Sequence, residues 1–381
     1  MSGLGDLRSE IDAIDDQIAS LYEKRMRIVG GVADAKAASG APVNDPARER
    51  AILSRISDEV SPEYESGARL LFTTLFGITK ARQRAKMKGV SPVAAQVRDT
   101  AAAAVKLPDK ALVACPGAEG SYSQQAVSSL FAVPTILYFG GFEKIFEAVE
   151  KGLCPYGVLP IENSAAGSVS QVYDLMVSHR FHIVRSVRVK VDHVLLALPG
   201  TKLEDVRTVS SHPHALAQCA AFLAKHPSMA AEPAPNTAVA AKALAASGAK
   251  NAAVIASRAC AELYGLDVIE SGISDAAFNY TRFICISRNL EITPDADRFS
   301  VMMSLPHRPG ALNGIISKFA AIGVNLTKLE SRPVPGMDFE FRFTFEFESS
   351  PSNPDVIGLV SELSQDPGIE RFTFLGAYAE I

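Results

Sequence analysis

Residues 4–39 constrain this chain more than any other stretch. Apolar side chains recur there at spacings of three and four: Leu4, Leu7, Ile11, Ile14, Ile18, Leu21, Ile28, Val29 and Val32. That is the period of a helix with one apolar face. At 1.5 Å per residue such a helix is on the order of 50 Å long, too long for one compact small domain. It must pack in a bundle or intertwine with a second copy of the chain. Gly40–Val43 ends it. Asp45-Pro46 then starts a second helix, with aspartate as N-cap and proline at the first helical position. A third helix is expected over residues 62–88.

The chain has 381 residues, room for two to three domains. The texture changes twice. Residues 1–90 read as all-helical and 91–109 as a small-residue linker bounded by prolines. Over 110–292 short apolar strands (ALVAC, YGVLPI, HVLLAL, AAVIA, RFICIS) alternate with helical segments (SQQAVSSLF, FEKIFEAVE, ALAQCAAFLAKH, TAVAAKALAAS), an α/β pattern. Residues 298–381 read as a separate small βαββαβ domain. Its FEFRFTFEFE run alternates at period two, a half-buried antiparallel strand. The phenylalanines of that run (Phe339, Phe341, Phe343, Phe345, Phe347) are expected in a core.

Composition excludes several classes. A net charge of -4 and a pI near 6.0 argue against a nucleic-acid partner. No apolar run reaches the roughly 18 residues of a membrane span. The charged N-terminus lacks the apolar core of a signal peptide. Five scattered cysteines without a CxxC suit a reduced, cytoplasmic setting, with no structural zinc. His212 and His214 flank a proline with no nearby carboxylate, so no metal site is expected there.

Several side chains stand out against their surroundings. Arg25 and Lys36 are eleven residues apart, which returns them to within about 20° of one helical face. Val29 and Val32 share that face. Two cations on an apolar face suit a buried anion, or a charged dimerisation surface. Arg8 lies about 25 Å along the axis from Arg25, so it could join such a pocket only in a partner chain. Thr79 and Gln83 share a face of the third helix. In the α/β region Gly117, Gly120 and Ser121 leave backbone N–H groups at a helix start, a weak anion signal. Pro160 ends a strand and delivers Glu162, Asn163 and Ser164 to its C-terminal edge, where open α/β sheets bind ligands. Ser211 and Gln218 flank another loop-helix junction. Asn279, Thr281 and Arg282 open the apolar run Phe283–Ile286, and polar groups there need partners.

LRSEIDAIDDQIASLYEKR, VADAK, PVNDPARERAIL and Thr79-x-x-x-Gln83, in that order, resemble the all-helical chorismate mutase family. The resemblance implies that Arg25, Lys36, Arg48 and the partner's Arg8 hold carboxylates and an ether oxygen. It gives Asp45 and Glu49 the substrate hydroxyl, and Thr79 and Gln83 complete the pocket. GSYSQQA, PIENSAAGSV, SHPHALAQC and NYTRF resemble the prephenate dehydratase family. This implies two lobes similar to type II periplasmic binding proteins, with chain crossings near 188–192 and 270. Thr281 would then donate to a leaving hydroxyl. Glu162, Asn163, Ser211 and Gln218 would orient the substrate, while Ser121 and Ser164 contact it or cap helices. Arg282 would be a carboxylate clamp or a lobe-locking ion pair. SLPHRPGALNGIISKFAAIGVNLTKLESRP resembles the ACT domain, a ferredoxin-like α+β module. By that resemblance His307, Pro309, Gly310, Ala311, Leu312 and Asn313, with Glu330, Ser331, Arg332 and Pro333, bind L-phenylalanine at a dimer interface; otherwise the domain serves dimerisation alone. Together the segments resemble bifunctional chorismate mutase–prephenate dehydratases. The resemblance implies substrates chorismate and prephenate, no cofactor and a homodimer or tetramer. Arogenate in place of prephenate, or a non-catalytic amino-acid sensor, are the alternatives.

Overall fold

The computed structural model describes residues 3–276, 278–334 and 340–381. Phe339 of the aromatic row lies outside the described residues. By compactness the chain divides into two units. One comprises Met1–Arg98, Met302–Phe345 and Ser352–Phe372; the other comprises Asp99–Val301, Glu346–Pro351 and Thr373–Ile381.

Helix α1 runs from Leu4 to Ser39, α2 from Pro46 to Glu59, and α3 from Glu65 to Lys88. Gly40 adopts the left-handed conformation that closes α1, its N–H donating to Lys36 O. Asp45 caps α2 through the Arg48 N–H at 3.0 Å. Along α1 only Met26, Val29 and Ala33 are buried. Leu4, Leu7, Ile11, Ile14, Ile18 and Leu21 are all exposed, so among the described residues nothing covers the first half of the apolar stripe. The stretch expected to be a linker contains a helix, α4 (Pro92–Ala103). Pro92 at its first turn and the Ser91 hydroxyl, accepting from Ala94 N at 3.2 Å, start it. Alanine-rich sequence, read as a linker, is also the best helix former.

The second unit holds two sheets. The first is built from β1 (Lys110–Pro116), α5 (Tyr122–Leu130), β2 (Val133–Phe139), α6 (Phe142–Glu150), β3 (Tyr156–Asn163), β4 (Gly167–Ser168), α7 (Ser170–His179) and β5 (His182–Lys190). The second follows with β6 (His193–Ala197), β7 (Thr208–Ser211), α8 (Pro213–Ala217), α9 (Ala220–Lys225), β8 (Ala230–Pro233), α10 (Thr237–Ser247), β9 (Ala252–Ser257), α11 (Ala259–Tyr264) and β10 (Asp267–Glu270). The chain then returns as β11 (Tyr280–Ser287). The sheet orders are β2-β1-β3-β11-β5, with β4 on β3, and β10-β6-β9-β7-β8. The chain therefore crosses between sheets twice, at 191–192 and 271–279. Val191 N donates to Asn279 O at 2.8 Å, tying the crossings together. Each sheet has its own buried core, Val113, Val158, Phe283 and Cys285 in the first and Val194, Leu196, Val254 and Ala256 in the second.

The last segment runs β12 (Arg298–Leu305), α12 (Ala311–Ala321), β13 (Leu326–Pro333), β14 (Phe341–Glu348), α13 (Pro354–Gln365) and β15 (Arg371–Tyr378), with sheet order β13-β14-β12-β15. The division between units passes through this sheet. β14 departs from the half-buried expectation: Thr344, Phe345, Glu346 and Phe347 are all buried, so its polar side is covered too.

Beyond β15 the chain extends the first sheet. Ile381 N donates to Ser186 O, and Ser186 N to Ala379 O, both at 3.0 Å. Gly376 permits this approach, because a Cβ there would stand 2.2 Å from Ile183 O. Gly376→Ala should therefore cost about 2–4 kcal/mol, as forced overpacking against backbone does. A urea melt equal to wild type would show that the strands do not approach as described.

Candidate functional sites

In the helical unit Arg25 is half-buried, and its Nη1 donates to Thr79 Oγ1 at 2.5 Å. The Thr79 hydroxyl in turn donates to Leu75 O at 2.6 Å. Burial pushes the Arg25 pKa down from its ordinary value. Lys36 donates to Val43 O at 2.9 Å, and Glu49 pairs with Lys80 at 2.9 Å. Asp45 is occupied as the α2 cap. Gln83 is buried, one turn beyond Thr79 on the same face, and its Oε1 has no hydrogen-bond partner. A buried orphan acceptor costs stability unless a ligand or a conformational change satisfies it. Arg48 and Arg8 are exposed. Arg8 sits on the uncovered part of α1, away from Arg25.

In the α/β unit a cavity of about 320 Å³ is lined by residues including Ala165, Ala166, His214, Gln218, Asp275 and Asn279. Its edge is organised by Asn163. Asn163 Oδ1 accepts from Ala165 N and Ala166 N at 3.0 and 2.9 Å, which folds the loop after β3. Its amide group donates to Asn279 Oδ1 at 2.7 Å and to Thr281 Oγ1 at 2.9 Å. With its oxygen accepting from Asn163, the Thr281 hydroxyl keeps its own hydrogen to donate.

A bulge sets these directions. β11 pairs Thr281 with Asn163 and Arg282 with Glu162, but Phe283 with Pro160, leaving Ile161 as the extra residue. Pro160 has no N–H for a regular ladder, and bulges re-aim side chains near sites. Successive strand residues face opposite sides. Asn163 and Thr281 thus share one side, and Glu162 and Arg282 the other. Glu162 lies on the side of Arg282, its carboxylate 4.0 Å from the Arg282 Nε.

Arg282 is buried. It makes a two-pronged pair with Glu346, at 2.7 Å and 2.5 Å, and has Glu380 at 3.7 Å and Glu162 at 4.0 Å. Of its two expected roles, the structure places it in an ion pair. Ser211 is fully buried and its hydroxyl donates to Ile255 O at 2.5 Å, so it does not face the cavity. Ser164 exchanges hydrogen bonds with Tyr280, at 2.9 and 3.0 Å, fastening its loop to β11. Ser121 caps α5 through Gln124 N. The amides expected to be free there are taken: Gly117 N by Phe139 O, Ser121 N by Ala118 O, and Gly120 N by Gln124 Oε1.

Gln218 lines the cavity because the helix expected over ALAQCAAFLAKH breaks beside it. Asp275 accepts from Ala220 N and Ala221 N, both at 3.0 Å, and Asp275 N donates to Gln218 O at 2.8 Å. Two further residues carry this site. His193 Nε2 lies 3.0 Å from Gln218 Oε1, and Tyr122 OH lies 3.3 Å from His193 Nδ1 and 2.8 Å from Asp192 O. Burial pushes the His193 pKa down, which keeps the ring neutral. With Gln218 Oε1 beside it, Nε2 carries the proton and donates to Gln218, while the single Tyr122 hydroxyl hydrogen goes to Asp192 O, with Nδ1 alongside. The Gln218 –NH2 is then turned from the imidazole. His193 at the head of an apolar strand was the signal available in sequence.

In the C-terminal segment Gly310 starts α12 in the left-handed conformation, followed by Ala311, Leu312 and Asn313 within the helix. Glu330, Ser331, Arg332 and Pro333 end β13. His307 and Phe341 rings lie 5.9 Å apart. Among the described residues no group of three or more His, Cys, Asp or Glu could hold a metal ion, and no helix is long and apolar enough to cross a membrane. The His212 ring accepts from His214 N at 3.2 Å and so caps α8. All five cysteines are buried and free.

The fold and sites define a two-lobed α/β cleft protein preceded by a helical segment that carries Arg25 and Lys36. Two family models match accordingly: chorismate mutase type II over residues 7–84, and prephenate dehydratase over residues 113–291. Arogenate dehydratase 3, chloroplastic, of Arabidopsis thaliana is 38% identical over 284 residues, 70% of this chain and 66% of that one. Arogenate dehydratase/prephenate dehydratase 1, chloroplastic, of the same plant is 38% identical over 286 residues, 71% of this chain and 72% of that one. Among solved structures, prephenate dehydratase from Arthrobacter aurescens in complex with L-Phe is 30% identical with a TM-score of 0.64, over 70% of this chain and 90% of that one. GqqA, described as a novel type of quorum quenching acylase, is 29% identical with a TM-score of 0.63, over 71% and 98%. The chain spans 66% and 57% of the length of two arogenate dehydratases it matches, from Arabidopsis thaliana and Petunia hybrida. This chain belongs to the prephenate dehydratase family, with a chorismate mutase type II segment ahead of the dehydratase region.

Gln83→Leu removes the orphaned oxygen and should hold or raise stability by about 1 kcal/mol, while weakening the binding of chorismate. Thermal melts and calorimetric titration check both, and unimpaired binding would remove Gln83 from the pocket. The His193 ring should stay neutral to a lower pH than a free imidazole, with its proton on Nε2; ¹⁵N spectra in which it becomes doubly protonated no later than a free imidazole would contradict the arrangement.

Proposed function

We propose that this chain converts chorismate to prephenate in its helical segment and prephenate to phenylpyruvate in its α/β cleft. The observation that carries the reading is Thr281, held by Asn163 at the cavity edge with its hydroxyl hydrogen free to donate. In the first reaction the dianionic substrate rearranges without a nucleophile or proton transfer. A compact conformer and positive charge near the breaking C–O bond are sufficient. Arg25 and Lys36 supply that charge, with Arg48 and the Arg8 of a second copy completing it. Thr79 fixes Arg25, and Glu49 with Asp45 faces the substrate hydroxyl.

In the second reaction the ring carboxylate leaves as CO2. Its C–C electron pair becomes a ring double bond, and the C–O bond breaks to release hydroxide. Aromatisation drives the step, so the protein need only ease departure of hydroxide. Thr281 donates to that oxygen as it leaves, and the proton completing water comes from solvent. Gln218, through its –NH2, meets an oxygen of the substrate. No metal or organic cofactor is required.

The β12–β15 segment is read as an ACT domain that takes L-phenylalanine near Gly310 and residues 330–333 and lowers dehydratase turnover. The L-Phe complex of the Arthrobacter relative supports this. The uncovered stripe of α1 supports a homodimer or a tetramer, and buried free cysteines support a reducing compartment, the cytoplasm in this reading. A second reading, arogenate as the dehydratase substrate, is favoured by the names of the plant relatives.

Purified protein given chorismate should form prephenate and then phenylpyruvate, with the second product reduced by phenylalanine. Prephenate that accumulates, with arogenate consumed when supplied, would select the second reading. Undiminished chorismate would reject the mutase. Thr281→Ala should lower dehydratase kcat about 100-fold with mutase turnover unchanged; full dehydratase turnover would remove Thr281 from the chemistry.

A further inference from the structure

Each proposed site has an arginine directly after a candidate catalytic residue: Arg84 after Gln83, and Arg282 after Thr281. Both arginines are buried, and both pair with a carboxylate from the C-terminal segment. Within the first unit Arg84 Nη2 lies 3.1 Å from Asp366 Oδ2. Asp366 is itself fixed by Lys318 at 2.9 Å and by Gly368 N at 2.9 Å. Burial works against its charge, but Lys318, Gly368 N–H and Arg84 hold its carboxyl below the usual range. Within the second unit Glu346, almost wholly buried, clamps both terminal nitrogens of Arg282. Glu380 stands beside the pair and is held by Arg188 at 2.8 Å.

Stability does not explain these pairs. Replacing a buried ion pair with apolar residues is often neutral or stabilising. The Nε atoms of Arg84 and Arg282 are moreover buried without a hydrogen-bond partner. What the pairs do is fix orientation. Residues 83 and 84 are about 100° apart on α3. Gln83 shares the face of Thr79, which is bonded to Arg25, while Arg84 points to Asp366. The helix cannot turn about its axis to shift one without pulling on the other. Thr281 and Arg282 face opposite sides of β11. A two-pronged carboxylate clamp fixes the plane of the guanidinium, and with it the pleat that presents Thr281 to Asn163.

We propose that Asp366 and Glu346 are positioning residues, one for each reaction, acting through Arg84 on Gln83 and through Arg282 on Thr281. The assignment rests on the two activities proposed above. Because both activities are read from one preparation, each serves as the folding control for the other. Asp366→Asn should lower mutase kcat about tenfold or more, a barrier change of about 1.4 kcal/mol, with dehydratase kcat within about twofold of wild type. Glu346→Gln should do the reverse. KM should stay within about twofold for Glu346→Gln, whereas Asp366→Asn should also raise the KM for chorismate, because Gln83 is read as touching the bound substrate.

A single substitution leaves a buried arginine unpaired and can unfold the chain. The double variants Arg84→Met/Asp366→Leu and Arg282→Met/Glu346→Leu decide the matter. They should melt at or above the wild-type temperature and still lose kcat at the one site each serves. Apolar pairs that keep wild-type kcat, or losses falling equally on both reactions, overturn the proposal. A wild-type protein that turns over chorismate but neither prephenate nor arogenate overturns the dehydratase reading and the Glu346 assignment with it, while the Asp366 arm is judged on the mutase alone.

Discussion

Strand β11 comes last among the strands of its sheet and lies inside it, hydrogen-bonded to β3 on one edge and β5 on the other. The whole second sheet is threaded before β11 returns. The first sheet is therefore complete only when both chain crossings are in place, and contacts of such long sequence separation form late and cooperatively. Asn279, at the foot of β11, is buried and anchors one crossing through Val191. Thr281 follows within the strand. The cleft edge and the inter-sheet connection are thus the same few residues, so a cavity of this shape presupposes a correctly closed sheet.

The single extra residue in β3 has an effect out of proportion to its size. Strand side chains alternate with a period of two, and shifting the count by one exchanges the faces of everything beyond. Past the bulge, Asn163 comes opposite Thr281 and Glu162 opposite Arg282. One side of the ladder becomes a neutral hydrogen-bonded edge at the cavity, the other a buried ionic cluster. Polar residues that look like one group in sequence, Glu162-Asn163-Ser164, are thereby divided among three tasks: charge pairing, site geometry and loop fastening.

What the sequence disclosed follows from local periodicity and turn chemistry. The long first helix, the Asp45 cap and the alternating α/β elements were all visible. What the sequence did not disclose has one source: partners far away in sequence. The polar side of β14 looks solvent-facing until Arg282, 64 residues away, is placed against Glu346. Ser211 looks like a ligand contact until the Ile255 carbonyl, 44 residues away, takes its hydroxyl. His193 looks like an ordinary strand start until Tyr122 and Gln218 approach its two nitrogens. Buried polar groups demand partners, but a sequence names the demand and not the supplier. The Gly117–Ser121 loop erred the other way. Glycines before a helix suggest vacant amides, yet neighbouring residues satisfy all three.

The exposed stripe of α1 is the remaining physical debt. Leu4, Leu7, Ile11, Ile14, Ile18 and Leu21 each stand about half or more in solvent. Burying a large apolar side chain is worth roughly 1.5–3 kcal/mol, so six of them represent on the order of 10 kcal/mol awaiting cover. That is comparable to the entropic cost of bringing two chains together. It also exceeds what the helix could gain from propensity alone, since isolated helical segments are marginal in water. Arg8 lies among these residues and is exposed. A second copy laid along the stripe would cover the apolar face and carry an Arg8 past the first turns of its neighbour. The pocket proposed around Arg25 and the oligomer would then be completed by one event. The proposed mutase activity would then depend on protein concentration, whereas the proposed cleft site, whose Asn163, Thr281, Gln218 and His193 all come from one chain, would not.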